Sequence, residues 1–263
     1  MEISGKTKLF SIIGAPVAGV VSPPAVNAWF EARNMDVKMV PFNIPLEGID
    51  TFWDVLRVSE TFLGCSVTYP HKQSAYAAAK IRTDRATRLG ALNTLRRNPD
   101  GSLSGDATDG LALVHAILAK GGTLTGRSAH VIGAGGGAGR AIIDAFCEAG
   151  ISRLIVEDTD QMRRAETVSL IAEYWPNVSI SQKQVADILV DATPNGKSAT
   201  AKSLFSDDAI GGCKIVCDIA GDPAMSQFLI NSERMGKTLV EASDMGHEQV
   251  EVQMEFLLQK KQP

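Results

Sequence analysis

The run Ala129-His130-Val131-Ile132-Gly133-Ala134-Gly135-Gly136-Gly137-Ala138-Gly139 constrains the fold of this chain more than any other stretch. A short apolar run that reads as a strand ends in a string of glycines. From Arg140 to Ala149 apolar residues then recur at helical spacing, with Gly150 as the stop. A strand that turns on glycines directly into a helix gathers main-chain N–H groups at the helix N-terminus, which is how a pyrophosphate is held. Such a turn also occurs as plain structure. The second signal is Glu157-Asp158, which follows the strand-like run Leu154-Ile155-Val156 about twenty residues on. An acid there accepts hydrogen bonds from an adenosine ribose. Gly133, Gly135, Gly136, Gly137 and Ala138, with Glu157 and Asp158, are therefore the candidate cofactor contacts.

The residues that follow continue the alternation. Strand-like runs fall at Val178 to Ile180, Ile188 to Val190, Ile215 to Cys217 and Thr238 to Val240, and a helical stretch runs from Met162 to Tyr174. Strands alternating with helices imply a parallel, doubly wound sheet. The preceding segment alternates too. Phe10 to Ile13, Lys38 to Val40 and Leu63 to Thr68 read as strands, and Pro24 to Arg33 and Ile49 to Leu56 as helices, the first entered through Ser22-Pro23. This half has no glycine fingerprint, so it is the half expected to hold substrate. At 263 residues the chain can build two such cores. The expected fold is α/β: an N-terminal α/β substrate domain over 1–109 and a Rossmann-type doubly wound parallel-sheet NAD(P)-binding domain over 110–240. The seam falls at Asp109-Gly110, before a helix from Leu111 to Lys120. The C-terminal stretch 241–263, with a helix from about Gln249 to Leu258, is expected to pack back on the first domain. Substrate is expected between the domains, at the carboxyl ends of the Rossmann strands.

A formal net charge of −4 leaves no basic face for a nucleic acid. No apolar run approaches the roughly 20 residues of a bilayer span. The opening MEISGKTKLF lacks the basic-then-apolar layout of a signal peptide. A cytoplasmic monomer or homodimer with no nucleic-acid or membrane partner is expected. Cys65, Cys147, Cys213 and Cys217 show no paired spacing and the histidines are scattered. No metal site or disulfide is expected, and the thiols read as small hydrophobes.

The strand-end acids also bear on which dinucleotide would bind. A ribose 2′-phosphate beside Glu157 or Asp158 would meet like charge, at about 1 kcal/mol per close pair even in water. NAD is therefore favoured. NADP is the alternative, because Arg163 and Arg164 lie one turn into the next helix and could offset the repulsion.

Further motifs are spread along the chain. Gly14-Ala15-Pro16-Val17 with Ser22-Pro23 and Asn27 matches G-x-P-[IV]-x-H-S-x-S-P-x-x-H-N in part. Val67-Thr68-Tyr69-Pro70-His71-Lys72 is similar to N-V-T-x-P-x-K, and Gly90-Ala91-Leu92-Asn93-Thr94 to G-A-x-N-T. Thr108-Asp109-Gly110 matches the end of G-x-N-T-D-G. Asp191-Ala192-Thr193-Pro194-Asn195-Gly196 is similar to N-A-T-P-x-G, and Met245 to Gln249 keeps the Met and Gln of M-L-x-x-Q. In this order, around a glycine turn in the right place, they make the chain resemble the shikimate/quinate dehydrogenases nearly end to end. The resemblance implies a catalytic pair, Lys72 and Asp109. It also implies substrate contacts from Ser22, Ser66, Thr68, Asn93 and Gln249, and cofactor contacts from Thr193 and Pro194. The substrate would be a small hydroxylated cyclic compound. Oxidising a secondary alcohol needs a group to take the hydroxyl proton while hydride leaves. A carboxylate nearby stabilises an ammonium whereas a base needs the free amine, so Lys72 and Asp109 are read as one coupled unit sharing a proton. The plainer roles are a surface lysine, a helix N-cap, a turn asparagine and a strand threonine.

The departures from the family pattern bear on substrate. Val20 stands where the first of two carboxylate-binding serines is expected, leaving Ser22. Gly19 and Val26 replace histidines, Ser66 and Ala107 replace asparagines, and Gly221 replaces a tyrosine. Losing the donors at Val20 and Gly221 without replacement would cost about 3–6 kcal/mol. That is roughly a hundred- to ten-thousand-fold in affinity for a carboxylate. The expectation is an NAD(P)-dependent oxidoreductase with intact redox machinery and rebuilt carboxylate recognition. A non-catalytic sensor of dinucleotide or ring metabolite is the alternative.

Overall fold

A strand that is apolar on both faces has to sit inside a sheet. The strand β1 (Lys8–Gly14) is of that kind, with Phe10, Ile12 and Ile13 at 0–5% exposure. A computed structural model of the chain describes residues 2–183, 185–197, 201–220 and 225–259. Its backbone contacts divide it into two units. One runs to Thr108 and takes up the chain again at Gln249, and the other is Asp109–Glu248.

In the first unit β1 is followed by α1 (Ser22–Ala32), β2 (Val37–Asn43), α2 (Ile49–Val58), β3 (Phe62–Val67), α3 (Lys72–Ala78), β4 (Ile81–Arg82), α4 (Asp84–Leu89), β5 (Thr94–Arg97) and β6 (Leu103–Asp106). The sheet order is β2-β1-β3-β5-β6-β4. Only β5 runs against its neighbours. Alternation along β1 sends Phe10 and Ile12 to one core cluster, with Val26 and Phe30, and Ile13 to another, with Trp53 and Leu95. The helix α1 starts at Ser22, two residues before the expected Pro24, because prolines in a first turn need no N–H acceptor. The hairpin β5–β6 was not expected. Its strands have four residues each, too short to show a period, and its turn is closed by Asn98, whose N–H and Nδ2 bond to Ser102 O and Oγ.

The second unit opens with α5 (Asp109–Ala119) and continues through β7 (Ser128–Ile132), α6 (Gly137–Glu148), β8 (Arg153–Glu157), α7 (Gln161–Tyr174), β9 (Ser179–Ile180), β10 (Ile188–Asp191), α8 (Asp207–Gly212), β11 (Ile215–Asp218), α9 (Gln227–Arg234), β12 (Thr238–Glu241) and the start of α10 (Ala242–Leu257). All its strands are parallel, in the order β9-β8-β7-β10-β11-β12. This is the doubly wound Rossmann arrangement, with its reversal between β7 and β10. Val131, Ile142, Phe146 and Val190 fill one side of the sheet, and Ile155, Leu189, Val216 and Phe228 the other. Gly110 lets α5 touch α6, since a Cβ there would lie 1.9 Å from the Ala141 carbonyl oxygen. The helix α10 begins at Ala242 rather than Gln249, and the chain passes to the first unit inside it. The early part is tied to the second unit by Lys120, 2.9 Å from Asp244 Oδ1.

Candidate functional site

In the first unit, motifs far apart in sequence are sewn together by main chain. Val67 N–H donates to Asn93 O at 2.7 Å, Leu92 N–H to Lys72 O at 3.1 Å, and Asn93 N–H to Asp106 O at 3.1 Å. Ala15 N–H donates to Tyr69 O at 3.1 Å, which joins the opening segment to the same group. Thr68, Lys72, Asn93 and Thr108 thus share one region at the end of β3 and the turns beside it. The hub is the buried Thr108 hydroxyl. It accepts from Asn93 Nδ2 at 3.0 Å and from Gln249 Nε2 at 2.8 Å. Its own hydrogen has Thr94 Oγ1 at 3.1 Å and Asn93 Oδ1 at 3.2 Å to choose between. Asn93 Oδ1 also accepts the Thr108 N–H at 2.6 Å. The Asn93 amide is thereby held in a single orientation. Gln249 Oε1 is buried with no hydrogen-bond partner among the described residues, so it is an acceptor ready for a hydroxyl.

Below Thr108 the strand end is anchored by Asp106, 2% exposed, which takes Arg85 Nε at 2.8 Å and Nη2 at 3.0 Å. Lys72 opens α3. The preceding His71 is fully buried and its Nε2 lies 2.6 Å from Ile44 O. A carbonyl only accepts, so that nitrogen carries the proton. Asp109 opens α5 in the second unit.

Two expected substrate contacts differ in state. Ser22 Oγ is buried without a hydrogen-bond partner among the described residues, whereas the Ser66 hydroxyl accepts from the buried Gln253 Nε2 at 3.0 Å. Sequence reasoning did not single out Gln253 or Thr108. Gln253 stands one helical turn after Gln249, which is the signal that could have found it. At the departures, Val26 is wholly buried in a core cluster and Val20 packs against that cluster. Asn27, part of the opening motif, is structural: its amide exchanges two bonds with the Met39 backbone. Gly221 lies outside the described residues.

In the second unit the candidate site is main chain. Gly133 has φ +81°, open to glycine, and a Cβ there would sit 2.8 Å from Thr193 Cγ2. Gly133 N–H and Ala134 N–H both donate to Glu157 O, at 2.9 and 3.0 Å. Gly136 is the N-cap of α6, and Gly137 and Ala138 form its first turn, where N–H groups have no acceptor within the helix. A Cβ at Gly137 would meet nothing within 4 Å, so nothing in the chain itself demands glycine there. That open space above outward-pointing N–H groups fits a pyrophosphate.

The acids and cations around the turn divide their work. Asp158 Oδ2 accepts Gly135 N–H at 2.8 Å and Oδ1 accepts Asp160 N–H at 2.9 Å, so this carboxylate closes the turn while keeping further lone pairs. Glu157 is 42% exposed at the side chain, with Oε1 3.2 Å from His130 Nε2. Arg164 Nε donates to Val156 O at 2.8 Å, which turns it back to the sheet. Arg163 is 64% exposed at its side chain, and its Cβ would lie 2.5 Å from a Cβ at Gly135. Of the two arginines, Arg163 is the one against the turn. Thr193 gives its N–H and Oγ1–H to Asp191 Oδ1 at 2.9 and 2.7 Å, and Pro194 starts the turn that follows. Burial, and secondarily Asp218 beside it, pushes the Asp191 carboxyl above the usual carboxylate range, against the pull of the Thr193 bonds.

All four cysteines are buried, and burial raises Cys65, Cys213 and Cys217, Cys213 to about 11, so none of these three is a ready thiolate. Among the described residues no group of three or more His, Cys, Asp or Glu could hold a metal ion, and no helix is long and apolar enough to cross a membrane.

A family model described as the shikimate dehydrogenase substrate binding domain matches residues 12–95. The chain is 34% identical over 241 residues to the shikimate dehydrogenase (NADP(+)) of Rubrobacter xylanophilus, covering 89% of this chain and 84% of the relative. Two solved structures share the fold at TM-score 0.89. One is shikimate 5-dehydrogenase from Listeria monocytogenes in complex with shikimate and NAD, at 22% identity, covering 100% of this chain and 96% of the other. The second is ligand-free 5-ketofructose reductase of Gluconobacter sp. strain CHM43, at 20% identity, with 99% and 96% covered.

Proposed function

The chain belongs to the shikimate dehydrogenase family, and on that footing we propose that it interconverts a secondary alcohol of a hydroxylated ring compound and its ketone. The observation that carries this is the main-chain sewing of the Thr68, Lys72, Asn93 and Thr108 segments into one place. Thr68, Asn93 and Gln249 would hold the substrate hydroxyls, and Ser22 and Ser66 its remaining polar groups. Lys72 Nζ would take the hydroxyl proton in oxidation and return it in reduction, with Asp109 as the second member of the expected catalytic pair. A nicotinamide dinucleotide, when bound, supplies the acceptor or donor of hydride. Gly133, Gly135, Gly136, Gly137 and Ala138 would receive its pyrophosphate, with Thr193 and Pro194 alongside. The non-catalytic sensor finds no support in these relatives. The reading is of a cytoplasmic enzyme, which suits its buried thiols.

For the cofactor we favour NAD, because Glu157 and Asp158 stand at the end of β8 and Arg164 is engaged with Val156. The comparisons lean the other way, since the curated relatives are named for NADP(+), and Arg163 is the cation a 2′-phosphate would use. The ratio of the two specificity constants decides. For the substrate, the valine at position 20, packed against the core where a carboxylate-binding serine is expected, supports a compound without the usual carboxylate. The fold also serves a protein named a 5-ketofructose reductase.

The test is nicotinamide absorbance during incubation with shikimate, quinate, uncharged cyclic polyols and the corresponding ketones. Lys72→Ala should lower kcat by about 10²–10⁴-fold with dinucleotide affinity unchanged. Undiminished turnover in that variant defeats the assigned proton role. A wild-type kcat/KM for shikimate above about 10⁴ M⁻¹s⁻¹ defeats the rebuilt-substrate reading.

A further inference from the structure

His130 lies in β7, in the middle of the second unit's sheet, and is 1% exposed. Its surroundings are apolar: the Phe205 ring meets it edge-on, with centroids 5.0 Å apart at 89°. Ile155 and Leu189, its partners in the strands on either side, belong to the core cluster that holds Phe205. Leucine or valine would fill such a position without any polar group to satisfy, whereas a buried polar atom left unbonded costs about 1–3 kcal/mol. Nδ1 has no hydrogen-bond partner among the described residues, and Nε2 makes no well-directed hydrogen bond there. Glu157 Oε1 stands 3.2 Å from Nε2, within reach of a charge-assisted contact but off the line a good hydrogen bond requires. Burial holds the imidazole below its usual range in spite of the pull of Glu157, so near neutral pH it is an uncharged ring with one N–H to give.

Glu157 connects this histidine to the glycine turn. It ends β8, its carbonyl oxygen receives both Gly133 N–H and Ala134 N–H, and its side chain is 42% exposed. A small rotation of that half-exposed side chain would straighten the approach of Oε1 to Nε2–H and fix the carboxylate in one direction at the rim of the turn. The arrangement is a buried donor beside an acid, next to the glycine turn.

We propose that His130 is a positioning residue for dinucleotide recognition: through Nε2–H it aims the Glu157 carboxylate at the adenosine ribose and so sets the preference for a 2′-hydroxyl over a 2′-phosphate. This rests on the dinucleotide reading of the glycine turn given above. An aimed carboxylate accepts from the ribose diol and repels a phosphate. A carboxylate free to swing into solvent does both less well, because its orientation has to be fixed on binding.

The experiment is equilibrium binding of NAD⁺ and NADP⁺, by calorimetry on the full chain, to the wild type, His130→Phe, His130→Gln, Glu157→Gln and the double variant His130→Gln/Glu157→Gln. Melting is followed for each. Phenylalanine fills the apolar pocket without a donor, and glutamine presents an amide N–H at similar reach. His130→Phe should weaken NAD⁺ by about 5–30-fold and NADP⁺ much less, with the steady-state effect falling on KM for NAD⁺ rather than on kcat. His130→Gln should recover most of the loss. If His130→Phe does not fold, the cycle of the other variants decides: the effect of His130→Gln on the NAD⁺/NADP⁺ ratio should vanish once Glu157 is glutamine. A folded His130→Phe whose ratio stays within twofold of wild type overturns the proposal, as does a His130→Gln effect that persists without Glu157. A wild-type chain that binds neither nucleotide overturns the dinucleotide reading itself.

Discussion

The two units build their candidate sites from different material. In the first, side chains hold one another: two amides and a hydroxyl fix a common geometry around Thr108, and Gln253 engages Ser66. In the second, the main chain does the holding, and side chains enter mainly to brace the turn, as Asp158 does at Gly135. A site made of backbone is tolerant of sequence except where a Cβ would intrude. One made of interlocked side chains is selective, and removing any member strands the others. Under the proposed function the turn would take a dinucleotide, which allows a generic site, and the first unit a substrate, which has to be discriminated; the difference in material matches that division.

The contrast can be broken most forcefully at Gly133. Alanine there has to accept φ +81° and press against Thr193 Cγ2 and the Ala192 carbonyl, so Gly133→Ala should lose about 2–4 kcal/mol in denaturant unfolding. Gly137→Ala is the control, since a Cβ there meets nothing. Its melting should match the wild type while NAD⁺ and NADP⁺ affinity both fall about tenfold, the added methyl occupying the space assigned to the pyrophosphate. Equal stability losses in the two variants would show that the turn is rigid throughout, with no space kept for a ligand.

In the first unit Thr108→Val removes the acceptor of two buried amide donors. A loss of about 1–3 kcal/mol is expected, read as a melting point roughly 2–8 °C lower, whereas Thr108→Ser should stay near wild type. A silent Thr108→Val would mean the amides find other partners and the interlocking is nominal.

The smallest effect is expected at Asp191, where the second unit does rely on a side chain. Its carboxyl is raised by burial, so the fold favours the protonated form. Stability on this account falls as pH rises through the raised value, and the penalty is full above it and absent below about pH 4. Asparagine keeps an acceptor for Thr193 and carries no charge. Asp191→Asn should therefore raise the melting point by about 2–4 °C at pH 8 and by little at pH 4. A gain that is the same at both pH values would exclude the carboxylate as its source.

Legibility followed the same division. The strand, glycine turn and helix from Ser128 to Glu148 were readable because period and backbone freedom are local properties. The hairpin β5–β6 escaped, being two short strands defined by what they pair with. Asn93 and Gln249 could be named only through a resemblance, since a lone amide in a turn or on a helix has no local signature. Asp158 and Glu157 are adjacent in sequence and chemically alike, yet one is bonded into the glycine turn and the other stands beside a buried histidine.

From the chain alone came the alternating α/β order, the parallel sheet of the second unit and the position of its glycine turn, all consequences of spacing within about twenty residues. Tertiary structure decided which distant amides meet at Thr108, which of two arginines faces the turn, and that His130 is buried beside Glu157. The physical reason is that a hydrogen bond depends on distance and direction in space, and folding sets these between residues that the chain keeps 141 positions apart at Thr108 and Gln249 and 187 apart at Ser66 and Gln253.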